Sequence, residues 1–309
     1  MENVICNLCG NAQSDTYETV SDLLLERHDV QVELVQCVEC SLVYQNPRPT
    51  PAEIGEHYPP EYVSYVDHAS EKKRSWLLQQ AIEYGFRKRQ RFITRHKKGG
   101  SLLDIGCAAG TFILGMRDLK NWQVAGVELS EDVAAMARER YDLNVFSGTL
   151  ENAAFEDEQF DVVTMWDVLE HVHDPIATLN EIHRILKPDG LLLTRVPNLA
   201  CWDVALFGNC WAGYDAPRHL YIFTPQTLKE TLAKAGFHAF ENSSGSASYM
   251  TFVLSVKFWL TAKGVSEQTK SLLIGLLYHP IARLISAPFF YLPNFALRGP
   301  ILVTLSKKE

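Results

Sequence analysis

The stretch "SLLDIGCAAGTF", residues 101–112, decides the fold. Leu102, Leu103 and Ile105 form an apolar run with Asp104 set into it, and the chain then drops into the small residues Gly106, Ala108 and Gly110. An apolar strand that runs through a small-residue turn into a helix is the pattern of a buried parallel strand with a ligand against its turn. A phosphate, a dinucleotide and a sulfonium nucleoside each suit such a turn, and each asks for different neighbours.

Working outward, strands and helices alternate. "TFILGMRDL" is helical, "QVAGVELS" a strand, and "EDVAAMARERY" a helix with Ser130 as its N-cap. "NVFSGT" and "FDVVTMWDV" are the third and fourth strands. "DPIATLNEIHRIL" starts with Asp174 as cap and Pro175 in the first helical position, and "GLLLTRVP" is the fifth strand. Thr224-Pro225 opens a further helix ending near Gly236. "GFHAFEN" and "GPILVTLSKK" are the sixth and seventh strands. The alternation predicts an α/β fold: a parallel sheet with helices on both faces and a ligand beyond the strands' carboxyl ends.

The neighbours narrow the ligand. No Gly-Lys-Ser/Thr is present, which excludes a triphosphate P-loop, and the Gly106-x-Ala108-x-Gly110 spacing departs from the dinucleotide fingerprint. A carboxylate at Asp104 repels a pyrophosphate and favours a cation or an amine. Glu128 closes the second strand, 24 residues after Asp104, where a carboxylate can accept from both ribose hydroxyls. These features favour a nucleoside carrying an amino acid and no phosphate, a description that S-adenosylmethionine (SAM) fits.

"LLDIGCAAG", "VAGVELS", "FDVVTMWDVLEHVHDP" and "EIHRILKPDGLLLTRVPN" resemble the successive motifs of class I SAM-dependent methyltransferases, over roughly residues 85 to 240. The small-molecule branch with the ubiquinone-biosynthesis O-methyltransferases is most similar. The resemblance implies a Rossmann-like seven-stranded sheet whose last strand inserts antiparallel. It also implies that Asp104, Gly106, Cys107, Ala108 and Gly110 line the methionine end of SAM and that Glu128 and Leu129 hold the ribose. Gly148, Thr149 and Leu150 would flank the adenine, with Thr149 standing where relatives often carry an acid. Asp167 and His171 would face cofactor and substrate.

Methyl transfer to a hydroxyl needs a proton acceptor, and a histidine titrating near neutrality suits that task. His219, in "YDAPRHLYIFT", is the candidate base, assisted by Tyr214 or Asp215, with His171 beside the cofactor and His173 expected to be exposed. An equally weighted alternative makes His219 a loop brace bonded to a backbone carbonyl. Trp202, Phe207, Trp211, Tyr214, Tyr221 and Phe223 crowd the same region and are expected chiefly in the core.

Two cysteine knuckles precede all this: Cys6 and Cys9 in "CNLCG", Cys37 and Cys40 in "CVECS". Doubled CxxC spacing lets four thiolates converge on one structural zinc, leaving no position for an activated water. "TYETV" and "VQVELVQ" between them suit a hairpin. Cys107, Cys201 and Cys210 lack such pairing and are expected to pack.

The chain of 309 residues carries a net charge of −8, which argues against a general electrostatic grip on nucleic acid. "MENVICNLCG" has no signal-peptide pattern, so a cytoplasmic location is expected, membrane association being the alternative. The segments are a zinc-knuckle module (1–45), a connector and basic helix from about Ser70 to His96 (46–98), the SAM-binding domain (99–247), an apolar helical insertion (248–298) and the last strand (299–309). The insertion's charge-free runs of 12 and 14 residues, split by Arg283, are short of the ~20 that span a bilayer. It is expected first as a lid and second as a membrane-surface patch. The acceptor is expected to be a small-molecule, glycan or lipid-linked hydroxyl. An RNA methyltransferase, or a SAM-binding protein without turnover, is the alternative.

Overall fold

The computed structural model describes residues 1–59, 62, 76–244 and 248–309. Much of the connector, including "EKKR" and the expected helix start at Ser70, lies outside the described residues. The chain runs β1 (Ser14–Asp22), β2 (Arg27–Cys37), β3 (Val43–Gln45), α1 (Trp76–Thr94), β4 (Gly100–Ile105) and α2 (Thr111–Arg117). It continues through β5 (Trp122–Glu128), α3 (Glu131–Tyr141), β6 (Val145–Ser147), β7 (Phe160–Trp166), α4 (Pro175–Ile185) and β8 (Leu186–Pro197). Next come α5 (Trp202–Phe207), β9 (Tyr221–Ile222), α6 (Pro225–Lys234) and β10 (Phe237–Ser243). The chain closes with α7 (Ser248–Ala262), α8 (Glu267–Tyr278), α9 (Pro280–Tyr291) and β11 (Ile301–Lys308).

Seven strands form the main sheet in the order β10-β11-β8-β7-β4-β5-β6, with β11 antiparallel to both neighbours and the strands from β6 to β8 mutually parallel. Leu102, Leu103, Val162, Val163, Met165, Leu192 and Leu193 are buried because helices cover both faces, so these strands read as apolar runs instead of alternations. After β4 the chain steps outward to β5 and β6, then returns to β7 on the other side. Such a reversal leaves a crevice outside the carboxyl ends of β4 and β7.

Local chemistry sets the helix starts. Ser130 accepts from Val133 N at 3.5 Å, and Asp174 accepts from Ala177 N at 2.9 Å with Pro175 following. Thr224 and Thr227 close a reciprocal capping box ahead of α6.

The hairpin β1–β2 forms as expected, but its sheet is not confined to the N-terminal segment. Tyr44 pairs with Tyr221 and Val43 with Ile222, so β9, from the loop after β8, becomes the fourth strand of order β1-β2-β3-β9. A strand of two residues has no detectable period, so this joint was invisible locally. The insertion is three helices. Val253 and Phe258 of α7 and Phe290 of α9 face the body, whereas much of α8 and α9 presents apolar side chains outward.

Candidate functional site

The turn after β4 is built on left-handed backbone. Gly106 has φ +68°, Ala108 +47° and Gly110 +76°. A Cβ on Gly106 would lie 2.5 Å from Val168 Cγ2, and one on Gly110 2.5 Å from Leu143 Cδ1, so both positions require glycine on two counts. The amides of Gly106 and Cys107 donate to Val127 O at 2.8 and 3.1 Å, tying the turn to β5. Cys107 packs with its sulfur against Gly126, and burial pushes its thiol up, which suits packing and not nucleophilic attack.

Two acids flank this turn. Asp104 is buried and accepts from Thr164 Oγ1 at 2.6 Å; burial pushes its carboxyl up to about 7 against that hydrogen bond. Glu128 accepts from the amides of Ala108 and Ser130, each at 3.0 Å; burial raises its carboxyl and these amides oppose the rise. Leu129, 68% exposed, follows Glu128 in the chain and presents an apolar side chain beside it. Gly148 donates to Glu128 O at 2.9 Å and has φ +141°, Thr149 Oγ1 accepts from Asn152 N, and Leu150 is buried. Asp167 pairs with Arg195. Arg89, on α1, stacks over Trp166 at 5.1 Å, and its charge reaches Asp104 and Asp167. Neither arginine was singled out from the sequence, because a cation in a basic helix or in a strand is ordinarily a solvated one.

A second cluster lies past the end of β7. His171 Nδ1 is 3.0 Å from Arg218 O and 2.8 Å from Tyr58 Oη; His219 Nδ1 is 2.9 Å from Gly213 O. The rings meet edge to face with centroids 4.6 Å apart. His219 Nε2 faces Asp215 Oδ2 at 3.8 Å and Glu170 Oε1 at 4.0 Å. Glu170 is fully buried, and both its carboxylate oxygens lack a hydrogen-bond partner among the described residues. Burial, with Asp167 nearby, raises its carboxyl well above the usual range. Burial also lowers His219, and it pushes His171 down to about 3 with His219 adding to the effect, so both rings are neutral at neutral pH. Burial works against Asp215, yet the charge His219 carries when protonated and the Arg218 guanidinium, which donates to it at 2.7 Å, bring its carboxyl below the ordinary range.

The supports come from far away in the chain. Arg218 is buried between Asp22, at 2.7 and 3.1 Å, and Asp215, at 2.7 and 3.1 Å; Tyr62 donates to Asp215 at 2.8 Å. Thus Asp215 joins the candidate base as expected. Tyr214 does not: it packs edge-on against Trp211 with its hydroxyl by Tyr17 in the hairpin sheet. His173 is not exposed either; it is half-buried with Nε2 3.0 Å from Pro49 O, since the connector folds over it. Glu170 was missed, and its one signal is an acid standing next to a histidine inside an otherwise apolar run.

Two groups have ligand geometry. The sulfurs of Cys6, Cys9, Cys37 and Cys40 lie within 4.8 Å of one another, with Cys6–Cys40 and Cys9–Cys37 at 3.4 Å. Each knuckle is closed by an amide four residues on, Gly10 to Cys6 O and Ser41 to Cys37 O, both on left-handed backbone. Four thiols and no competing oxygen donor fit a tetrahedral zinc. Glu170, His171 and His219 also bring three donor atoms within 4.8 Å.

A seven-stranded sheet of this order, with its last strand antiparallel, defines a Rossmann-like methyltransferase fold. The family described as "Methyltransferase domain" matches residues 77–241, more than half of the chain, and the protein belongs to it: it is a SAM-dependent methyltransferase. It is similar to a ubiquinone biosynthesis O-methyltransferase of Cereibacter sphaeroides, 32% identical over 52% of this chain and 72% of the relative. It is also similar to a malonyl-[acyl-carrier protein] O-methyltransferase of Serratia marcescens, 28% identical over 52% of this chain and 63% of that protein. A solved methyltransferase of Galdieria sulphuraria, 14% identical, superposes with a TM-score of 0.50 over 75% of this chain and 86% of its own; it shows the fold alone.

Proposed function

We propose that the protein transfers a methyl group from SAM to a hydroxyl oxygen of a small-molecule, glycan or lipid-linked acceptor, with His219 as general base and zinc as a structural ion. The relatives named above are O-methyltransferases, which favours an oxygen acceptor. When bound, SAM supplies an electrophilic methyl on its sulfonium.

This chain's residues would do the rest. Glu128 accepts hydroxyl hydrogens at the ribose position, and Asp104 faces the amino acid end with Arg89 close enough to balance an added carboxylate. Gly106 and Gly110 let the backbone approach closely. Alignment supplies most of the rate in such a displacement. The oxygen must lose its proton, and His219 Nε2 is the acceptor, because Nδ1 is committed to the Gly213 carbonyl. Asp215 steadies the imidazolium that forms. That Nε2, 3.8 Å from Asp215 Oδ2 and 4.0 Å from Glu170 Oε1 while Nδ1 is taken by Gly213 O, is the observation that carries the proposal.

Feeding labelled SAM with a metabolite extract and identifying the labelled product tests it. His219→Gln should lose turnover and keep SAM affinity; unchanged turnover overturns the base assignment. Labelled product that disappears after RNase treatment of the extract would replace the small-molecule acceptor by RNA.

A further inference from the structure

The outward face of α8 and α9 has no counterpart in the methyl-transfer site. Leu272, Leu276, Ile281, Leu284, Ile285 and Phe289 are between 57% and 76% exposed, on two consecutive helices of 12 residues each. The inner side of α9 is already occupied: Phe290 is buried against Tyr249 at 5.0 Å and Phe252 at 5.1 Å. A helix apolar on its covered side and apolar again on its open side is made for a second apolar phase.

Length and charge say what that phase is. A helix of 12 residues extends about 18 Å, short of the ~30 Å hydrocarbon core, and the pair bends by 72°. No single described helix is long and apolar enough to cross a membrane. Helices too short to span can still lie in the headgroup boundary when an apolar outer face is flanked by cations. Residues 242–308 carry seven Lys or Arg and a single acid, Glu267, which is paired with Lys270, although the whole chain is at −8. Lys263, Arg283 and Arg298 are exposed in that region. A second copy docked symmetrically would set like cations against one another, whereas anionic headgroups complement them.

The insertion is rooted where the site opens. Asn198, just past the end of β8, donates to Leu297 O at 2.8 Å and Gly299 O at 2.6 Å. Trp202 packs on Phe252, Phe289 and Phe290 with centroids 5.8 to 6.0 Å apart.

We propose that α8 and α9 dock the enzyme on an anionic lipid bilayer, so that an amphiphilic acceptor reaches the site from the membrane. The acceptor part rests on the proposed methyl transfer; the docking part does not. Co-sedimentation of the full chain with phosphatidylcholine vesicles, with and without phosphatidylglycerol, tests docking. Binding is expected to the phosphatidylglycerol vesicles and to weaken with salt. The triple change Ile281→Ser, Leu284→Ser, Ile285→Ser, on already exposed positions, should cut it about tenfold or more. Arg283→Glu should cut it less, with SAM affinity by calorimetry unchanged in both variants. A chain that stays in the supernatant with both vesicle types overturns docking, and so does a triple variant that binds as the parent does. A parent dimer that the triple variant converts to monomer assigns the face to a second copy instead. Vesicle binding by a chain that ignores SAM would sink the methyl-transfer proposal and leave the surface standing.

Discussion

The cleft proposed for SAM and the histidine pocket both bury carboxylates, yet they treat them differently. In the cleft, Asp104 and Glu128 are met by Thr164, Ala108 and Ser130. In the pocket, Glu170 has no hydrogen-bond partner among the described residues, and its histidine neighbours are tied by Nδ1 alone. Fixed acceptors with preset geometry suit a ligand that offers hydroxyls and an amine. A lowered Asp215 carboxyl 3.8 Å from a neutral imidazole suits a place where positive charge arrives during the reaction, because the acid then stabilises the imidazolium.

The supports of the pocket give the largest expected effect. Arg218→Met leaves Asp22 and Asp215 buried without their cation, and loss of one partner of a buried pair costs about 3–5 kcal/mol. The transition midpoint in urea should fall sharply, and the loop from Gly213 to Tyr221 should lose amide protection. His219→Gln comes next: turnover should drop about 10²–10⁴-fold with SAM affinity kept. In the parent, burial holds His219 below the ordinary histidine range, so the proton-accepting form persists at and below neutrality. The acid limb of kcat/KM should therefore lie below pH 6.5.

Glu128→Gln sets an NH2 group against one of the two amides that Glu128 accepts from and loses charge-assisted acceptance, worth about 1.5–3 kcal/mol, so SAM should bind about tenfold to a hundredfold more weakly. If turnover at saturating SAM fell equally, cleft and pocket would be one unit instead of two. Asp104→Asn is the smallest and points the other way for stability. The folded-state carboxyl, at about 7, lies above its unfolded value of 3.8. The folded chain therefore keeps a proton that the unfolded chain releases, and stability is lost as pH rises through that window. Asparagine removes this slope, so thermal scans at pH 8 should show an unchanged or higher Tm while calorimetry shows weaker SAM binding.

Much of this was legible from local pattern. The apolar runs around Leu102, Val162 and Leu192, the caps Ser130 and Asp174, and the turn from Gly106 to Gly110 all report themselves within a few residues. The cysteine spacing reports a metal-type cluster because two CxxC knuckles have few other uses. The pocket's supports do not report themselves. Arg218 meets Asp22 across 196 residues, and Tyr58 meets His171 across 113. Tyr214 and Asp215 are adjacent in sequence, yet only Asp215 faces His219, a matter of which side the loop turns once β9 joins β3.

The sheet, the small-residue turn after β4 and the four-thiol cluster follow from local pattern, because strand burial, left-handed turns and ligand spacing are short-range properties. Long-range packing alone makes the hairpin sheet brace the histidine loop, leaves Glu170 without a hydrogen-bond partner among the described residues, and turns the apolar side chains of α8 and α9 outward. Those outcomes depend on which distant surfaces pack together. The apolar composition of a helix is the same whether its neighbour is a core or a membrane.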